Sequence, residues 1–190
     1  LKKVFLPQEG ERLPSEVKIL AGLAMGFDRD PHWAFSARPV DFYDIKGCVE
    51  DLLDALQIKD AKFNKTEEPP YLHPGKASKV VLDHEVLGVL GEIHPDVLGH
   101  YEVRGKGYLF ELDFSKIVKW AGEERRFHPL PKFPAVYRDL SVVVDQAMEA
   151  ERVMETIRNF QQPYVEEVTL FDIYQEAPIP EGKKGISYRI

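Results

Sequence analysis

The segment Phe171-Asp172-Ile173-Tyr174 carries the side chains best suited to chemistry in this sequence. The side-chain period of an extended strand is two, which puts Asp172 and Tyr174 on one face, one step apart. A carboxylate accepts hydrogen bonds from the amino and imino groups of a nucleobase, and a tyrosine ring stacks on one. Pro180-Glu181-Gly182-Lys183-Lys184 follows and reads as part of a loop, Ala177 to Lys184. Its two ammonium groups, Lys183 and Lys184, suit phosphates, a contact that weakens with salt. The same residues also describe a plainer object, a strand tip whose tyrosine covers the sheet edge beside a solvated lysine loop. Physical chemistry alone favours that plainer object.

Other signals are weaker. Four of the six histidines (His32, His73, His94, His128) adjoin a proline, and none has the His-Glu-x-x-His spacing of a zinc helix. Turn and loop positions are expected for all six. Asp83-His84-Glu85 falls where a hairpin needs a polar turn. Pro74-Gly75-Lys76-Ala77-Ser78 has the Gly-Lys of a phosphate loop, but position 70, where another glycine is needed, is Pro70. Gly105-Lys106-Gly107 lacks the third glycine of a dinucleotide fingerprint and precedes a strand. Glu111 and Asp113 lie two apart on a strand; an exposed strand face explains them more simply than acid–base catalysis. Cys48, the single cysteine, reads as a small buried or half-buried side chain at the start of a helix, and alone it excludes an internal disulfide and a cysteine-based zinc site. No catalytic residue and no metal ligand is expected.

Positioning these residues requires an α+β chain in two parts. In the first, Ile19–Met25 reads as a short buried strand and Val40–Tyr43 as an extended run. Val49, Leu52, Leu53 and Leu56 fall at i, i+3, i+4 and i+7, an amphipathic helix with Asp44 and Glu50 near its start. Val80–Leu82 and Val86–Ile93 form a hairpin, ended by His94-Pro95-Asp96, and Tyr108–Phe114 is a further strand. In the second part Leu140–Val144 is a strand. Ala150, Val153, Met154 and Ile157 repeat at helical spacing up to Pro163, Val165–Tyr174 is a strand, and another begins at Gly185. That β-α-β-β order is three-quarters of a β-α-β-β-α-β split unit. Between the parts, the charged stretch Gly122 to Arg126 runs into a proline-rich one, His128 to Pro134, which reads as an extended linker.

The chain has 190 residues, with 25 Lys+Arg against 32 Asp+Glu, a net charge of −7. That balance argues against a generic polyanion binder without excluding a local nucleic-acid contact. No apolar run approaches the ~20 residues that span a bilayer. The N-terminus lacks the apolar stretch of a signal peptide. With one cysteine, the composition leans towards a cytoplasmic setting.

Several ordered motifs carry a family resemblance. Asp41-Phe42-Tyr43-Asp44-Ile45-Lys46-Gly47 resembles the β subunit of bacterial phenylalanyl-tRNA synthetase, as do Leu72-His73-Pro74-Gly75-Lys76-Ala77, Gly88-Val89-Leu90-Gly91-Glu92-Ile93-His94-Pro95 and Tyr108-Leu109-Phe110-Glu111-Leu112-Asp113. Pro131-Lys132-Phe133-Pro134-Ala135-Val136-Tyr137-Arg138-Asp139-Leu140 is similar to the opening of that subunit's ferredoxin-fold anticodon-binding domain. Leu170 to Tyr174 and Ile179 to Lys184 continue it.

The resemblance implies three segments. Residues 1–122 would be the later part of a non-catalytic core of class II synthetase fold, with an antiparallel sheet. Residues 123–134 would be a linker, and 135–190 a truncated ferredoxin-like anticodon-binding domain. A working class II site ends its last core strand with Glu-Arg; here Glu111 is followed by Leu112. In the family, ATP and phenylalanine bind the α subunit of an α2β2 enzyme that charges tRNA(Phe). The implied partners are therefore the α subunit and tRNA(Phe), without DNA or membrane. ATP and Mg2+ serve the whole enzyme and no cofactor serves this piece. The family's β subunit is several times longer, so the chain is expected to be an excised piece without the editing domain, its second part lacking a last helix and strand. The strand that would pair beside Leu140–Val144 is then missing, which leaves an edge open. Ser141, Asp172, Tyr174 and Gly185 fall on positions that resemble the family's anticodon contacts. Gly185 stands where relatives usually have serine. The rival expectation is a protein-interaction module with no RNA role.

Overall fold

The structure, a computed structural model, describes residues 1–8, 10, 12–122, 133–160 and 165–190. Most of the expected linker (123–132), with His128, lies outside the described residues, and so does the helix-ending Pro163. The chain divides into two compact units, Leu1–Phe127 and His128–Ile190.

The first unit runs β1 (Lys2–Leu6), β2 (Ser15–Met25), α1 (Phe42–Ala55), β3 (Lys62–Lys65), β4 (Leu72–Leu82), β5 (Glu85–Ile93), α2 (Pro95–His100), β6 (Gly107–Asp113) and α3 (Phe114–Trp120). Its strands form one antiparallel sheet in the order β1-β2-β6-β5-β4-β3. Ile45, Val49 and Leu53 repeat every four residues along α1 and pack with Val80, Leu90, Tyr108, Leu112 and Ile117 in one buried core. Leu52 and Leu56 cover its margin. The hairpin between β4 and β5 turns on two residues, Asp83 and His84, both at positive φ (45° and 68°), as a tight antiparallel turn demands. At Gly88 the strands approach so closely that a β-carbon would stand 2.1 Å from the Glu111 carbonyl oxygen.

Several sequence expectations need correction here. The Ile19–Met25 strand is part of β2, which begins at Ser15 and has no fully buried residue, contrary to the expectation of a buried strand. It pairs with β1, a strand exposed along its whole length and so without a period-two pattern. Val40–Tyr43 is not extended throughout. Asp41 is an N-cap that accepts from the Tyr43 and Asp44 amides (2.8 and 3.2 Å), and the helix starts at Phe42. Phe114 opens α3 rather than ending β6, because Asp113 caps that helix by accepting from the Ser115 and Lys116 amides (2.9 and 3.2 Å). The helix α2, six residues long, is too short for its periodicity to show. Histidines are not all in turns: His73 lies in the irregular start of β4 and His100 in α2, while His94 caps α2.

The second unit runs β7 (Asp139–Asp145), α4 (Ala150–Asn159), β8 (Thr169–Tyr174) and β9 (Lys183–Arg189), with antiparallel sheet order β7-β9-β8. One face of this sheet meets α4. Ile186 and Tyr188, fully buried, pack with Val142, Val144, Leu170 and the helical residues Ala150, Val153, Met154 and Ile157. The Tyr188 hydroxyl donates to the Ala150 carbonyl at 2.8 Å and ties the first turn of α4 to the central strand. Among the described strands β7 pairs on one side only, so one of its edges is open.

Arg38 fastens the Gly26–Pro39 loop to α1. Its guanidinium forks onto both oxygens of Asp44 (2.8 and 2.6 Å), and Asp44 in turn accepts from the Asp41 amide at 2.8 Å. The Arg38 hydrogen bonds hold the Asp44 carboxyl at about 2, well below its ordinary value. A depressed carboxylate contributes stability above its unfolded pKa and loses it as pH falls through the folded one. The stability lost in Arg38→Gln should therefore be full at pH 7 and should begin to shrink below about pH 4. Urea unfolding at pH 7, 4 and 3 reads the difference; a difference constant across that range contradicts the fork.

A ranked open face on the second sheet

The face of the β7-β9-β8 sheet opposite α4 is set by cross-strand register, rank by rank. In the middle rank Ser141 stands opposite Ser187, and Ser187 opposite Asp172. The next rank holds Val143, Gly185 and Tyr174. Towards the other end Asp139 and Thr169 flank Arg189, and beyond Tyr174 lies the pair Asp145 and Lys183. The four residues singled out as anticodon contacts, Ser141, Asp172, Tyr174 and Gly185, thus occupy two adjacent ranks of one face. Asp172 and Val143 are exposed there and Tyr174 is half-buried.

A bulge decides which face this is. Leu170 pairs with Tyr188 and points to the α4 side. With strict alternation Asp172 and Tyr174 would follow it there. The register instead shifts between Leu170 and Asp172, and Asp172 meets Ser187 on the open side. Phe171 is the extra residue, half exposed, with the Arg189 guanidinium over its ring at 5.1 Å.

Gly185 has a steric part in the site. A β-carbon on it would lie 2.3–2.7 Å from the ring of Tyr174, so the ring lies across the glycine. The tyrosine is therefore neither free in solvent nor inside the core. Sequence reasoning missed Ser187, whose hydroxyl shares a 2.8 Å hydrogen bond with that of Ser141. The alternation Ile186-Ser187-Tyr188-Arg189 marks Ser187 as facing away from the core, but only the register shows that it stands between Ser141 and Asp172.

The lysines are placed differently from the sequence expectation. Both belong to β9 rather than to a loop. Successive residues of a strand face opposite ways, so they diverge: Lys183 lies on the open face, bound to Asp145 at 2.9 Å, and Lys184 is paired with Val144 on the α4 side. The remaining chemical candidates have structural partners. Glu111 accepts from the Tyr71 hydroxyl, whose own ionisation is pushed up first by burial and then by that bond. Asp113 caps α3. Cys48, expected to be at least half buried, is instead exposed on α1. Among the described residues no three of His, Cys, Asp and Glu gather closely enough to hold a metal ion.

Comparison with known proteins gives two family matches. The model described as the phenylalanyl tRNA synthetase beta chain CLM domain matches residues 1–114, and that of the ferredoxin-fold anticodon binding domain matches 131–190. Relatives include the phenylalanine–tRNA ligase β subunits of Symbiobacterium thermophilum (39% identical over 191 residues) and Moorella thermoacetica (40% over 190), each alignment covering 100% of this chain. A third, from Clostridium tetani, is 38% identical over 189 residues and 99% of the chain. The chain spans 21%, 23% and 22% of those three proteins.

Gly185→Ala should push the Tyr174 ring off the sheet and leave the backbone in place, since the obstructing atoms belong to a movable side chain. The ring resonances of Tyr174 should shift while the β7–β9 amide resonances hold. Unmoved ring resonances would contradict the packing.

Proposed function

The chain belongs to the family of phenylalanyl-tRNA synthetase β chains, and from that membership we propose that it is a non-catalytic part of a phenylalanine–tRNA ligase, the ATP-dependent enzyme that joins phenylalanine to tRNA(Phe). Residues 1–122 are read as the later part of the synthetase-like core that scaffolds the α subunit, and 135–190 as part of the anticodon-binding domain. The open edge of β7 and the half-exposed Ile173 on the α4 side support the idea that further chain completes this second domain. A cytoplasmic setting goes with this reading. No helix among the described residues is long and apolar enough to cross a membrane.

The observation that carries the RNA role is the gathering of Ser141, Asp172 and Tyr174, with Ser187 between them, on the face that α4 leaves open. Tyr174 offers a ring for a base to stack on. Asp172 accepts from a base's amino or imino group, and the exposed Ser141 hydroxyl, held by the buried Ser187, donates or accepts beside it. Gly185 contributes by its missing side chain rather than by a contact, since the tyrosine ring rests on it. Lys183 is suited to a phosphate, because an exposed ion pair such as the one it makes with Asp145 exchanges readily. Lys184 faces the other way and is dropped from the reading.

Catalysis is assigned elsewhere in the enzyme. The carboxylate that would neighbour a triphosphate clamp, Glu111, is held by Tyr71 and followed by Leu112.

Filter binding of tRNA(Phe) tests the RNA role. Loss of a stacking ring is worth roughly 1–3 kcal/mol, so Tyr174→Ala should weaken binding by about 5- to 150-fold. An unchanged affinity would leave a protein-interaction role as the reading. ATP–pyrophosphate exchange by the chain alone should be absent, and any exchange overturns the non-catalytic assignment.

A further inference from the structure

On β6, Tyr108 and Leu112 face the core under α1, so Leu109 and Glu111 point to the opposite side of the first sheet. Cross-strand register sets Leu23 beside Leu109 and Ala21 beside Glu111. These residues floor a cleft of about 490 Å3, with Ile93 of β5 and Val97 and Leu98 of α2 along its sides. Backbone bonds fix the frame. The His94 amide donates to the Tyr71 carbonyl at 2.9 Å, and the Val103 amide to the Leu98 carbonyl at 2.9 Å. The imidazole Nδ1 of His94 accepts from the Asp96 amide at 3.2 Å and so caps α2. A concavity of this size, apolar with a few polar groups, has the character of a small-molecule site.

The polar end of the cleft is Glu111, the one charged side chain lining it among the described residues. It is half-buried, and the Tyr71 hydroxyl donates to its Oε2. Burial first, and then that bond, keep the proton on the phenol. A phenol has one proton to give and brings no charge. Among the described residues Oε1 has no hydrogen-bond partner and Glu111 no ion pair, and Oε1 is not sealed from solvent. The carboxylate has thus given up part of its hydration without gaining a cation. No lysine, arginine or histidine lines the cleft, so an anion entering it would find nothing to offset its own desolvation.

We propose that this cleft binds a small primary ammonium that bears an apolar group and no carboxylate, the ammonium donating to Oε1 of Glu111 and the apolar group lying on Leu23, Leu109 and Val97. An ammonium carries three donors, and a charge-assisted bond to a half-buried carboxylate is stronger than a neutral one. The site lies wholly in the first unit and does not depend on the RNA role of the second.

Methyl NMR titration of the 190-residue chain at neutral pH tests this with three ligands of one shape, phenethylammonium, phenylalanine and hydrocinnamate. Phenethylammonium should shift the methyl resonances of Leu23, Leu109 and Val97 to saturation. Phenylalanine, which adds a carboxylate, should bind at least about 10-fold more weakly, and hydrocinnamate should leave these methyls unmoved. Glu111→Gln keeps an acceptor for Tyr71 and removes the charge; it should weaken the amine about 10- to 150-fold. Ala21→Leu, at an exposed position beside Glu111, should block the amine without disturbing the core methyls of Leu90 and Leu112, which also report that each variant is folded. Three results overturn the proposal: no saturable shift with the amine, equal shifts with hydrocinnamate, or parent-like amine binding by a folded Glu111→Gln chain. The ligand comparison uses the parent chain alone, so it decides the matter even where a variant does not fold.

Discussion

One extra residue in one strand governs the candidate site. Up to Leu170, β8 follows the period of two and delivers its apolar side chain to the core under α4. From Asp172 onward the same period would send a carboxylate and a phenol into that core. A buried unpaired carboxylate is far more expensive than any packing gain there, and the strand avoids it by inserting Phe171. The bulge turns the polar pair outward, leaves Phe171 beside Arg189, and keeps Leu170 in contact with Tyr188. Fold stability and the polar surface of the open face are therefore set by the same local distortion.

The two units use their polar groups differently. In the first, charges and caps are consumed by the structure itself. Asp41, Asp44 and Arg38 close a loop onto a helix, Asp113 starts another, and Glu111 is taken by Tyr71. That economy suits a scaffold. In the second unit the open face keeps the Asp172 carboxylate and the Ser141 side chain exposed, outside the helix-packing core, where a ligand can reach them. A net negative chain can still bind a polyanion when its few available cations lie on one surface.

Much of the fold was legible in the residues, for identifiable reasons. The 3.6-residue repeat of α1 and α4 and the alternation of β6 are written in apolar side chains, because each turns one face to its core. The elements that escaped are those with no buried face to mark them. The strand β1 is exposed throughout, and α2 is shorter than two turns. The lysines illustrate a different limit. Pro180-Glu181-Gly182 breaks structure, but nothing local says that the chain re-enters the sheet at Lys183 rather than at Gly185. Of the site, the Asp172/Tyr174 pairing could be read from spacing, whereas Ser187 could not, since cross-strand neighbours depend on a register set by distant pairings. The bulge was likewise invisible: Phe171 looks like an ordinary strand residue until its partner is known.

The contact between Tyr174 and Gly185 has a thermodynamic corollary. Immobilising a mobile side chain when a ligand arrives forfeits roughly 0.5–1.5 kcal/mol of affinity. A phenol already resting on bare backbone has given up that freedom during folding. Serine at 185 would offer one more hydrogen-bonding group and take away the shelf. The glycine thus leaves a preorganised ring in place of a polar side chain, and under the proposed role shape and stacking would weigh more than hydrogen-bond reading.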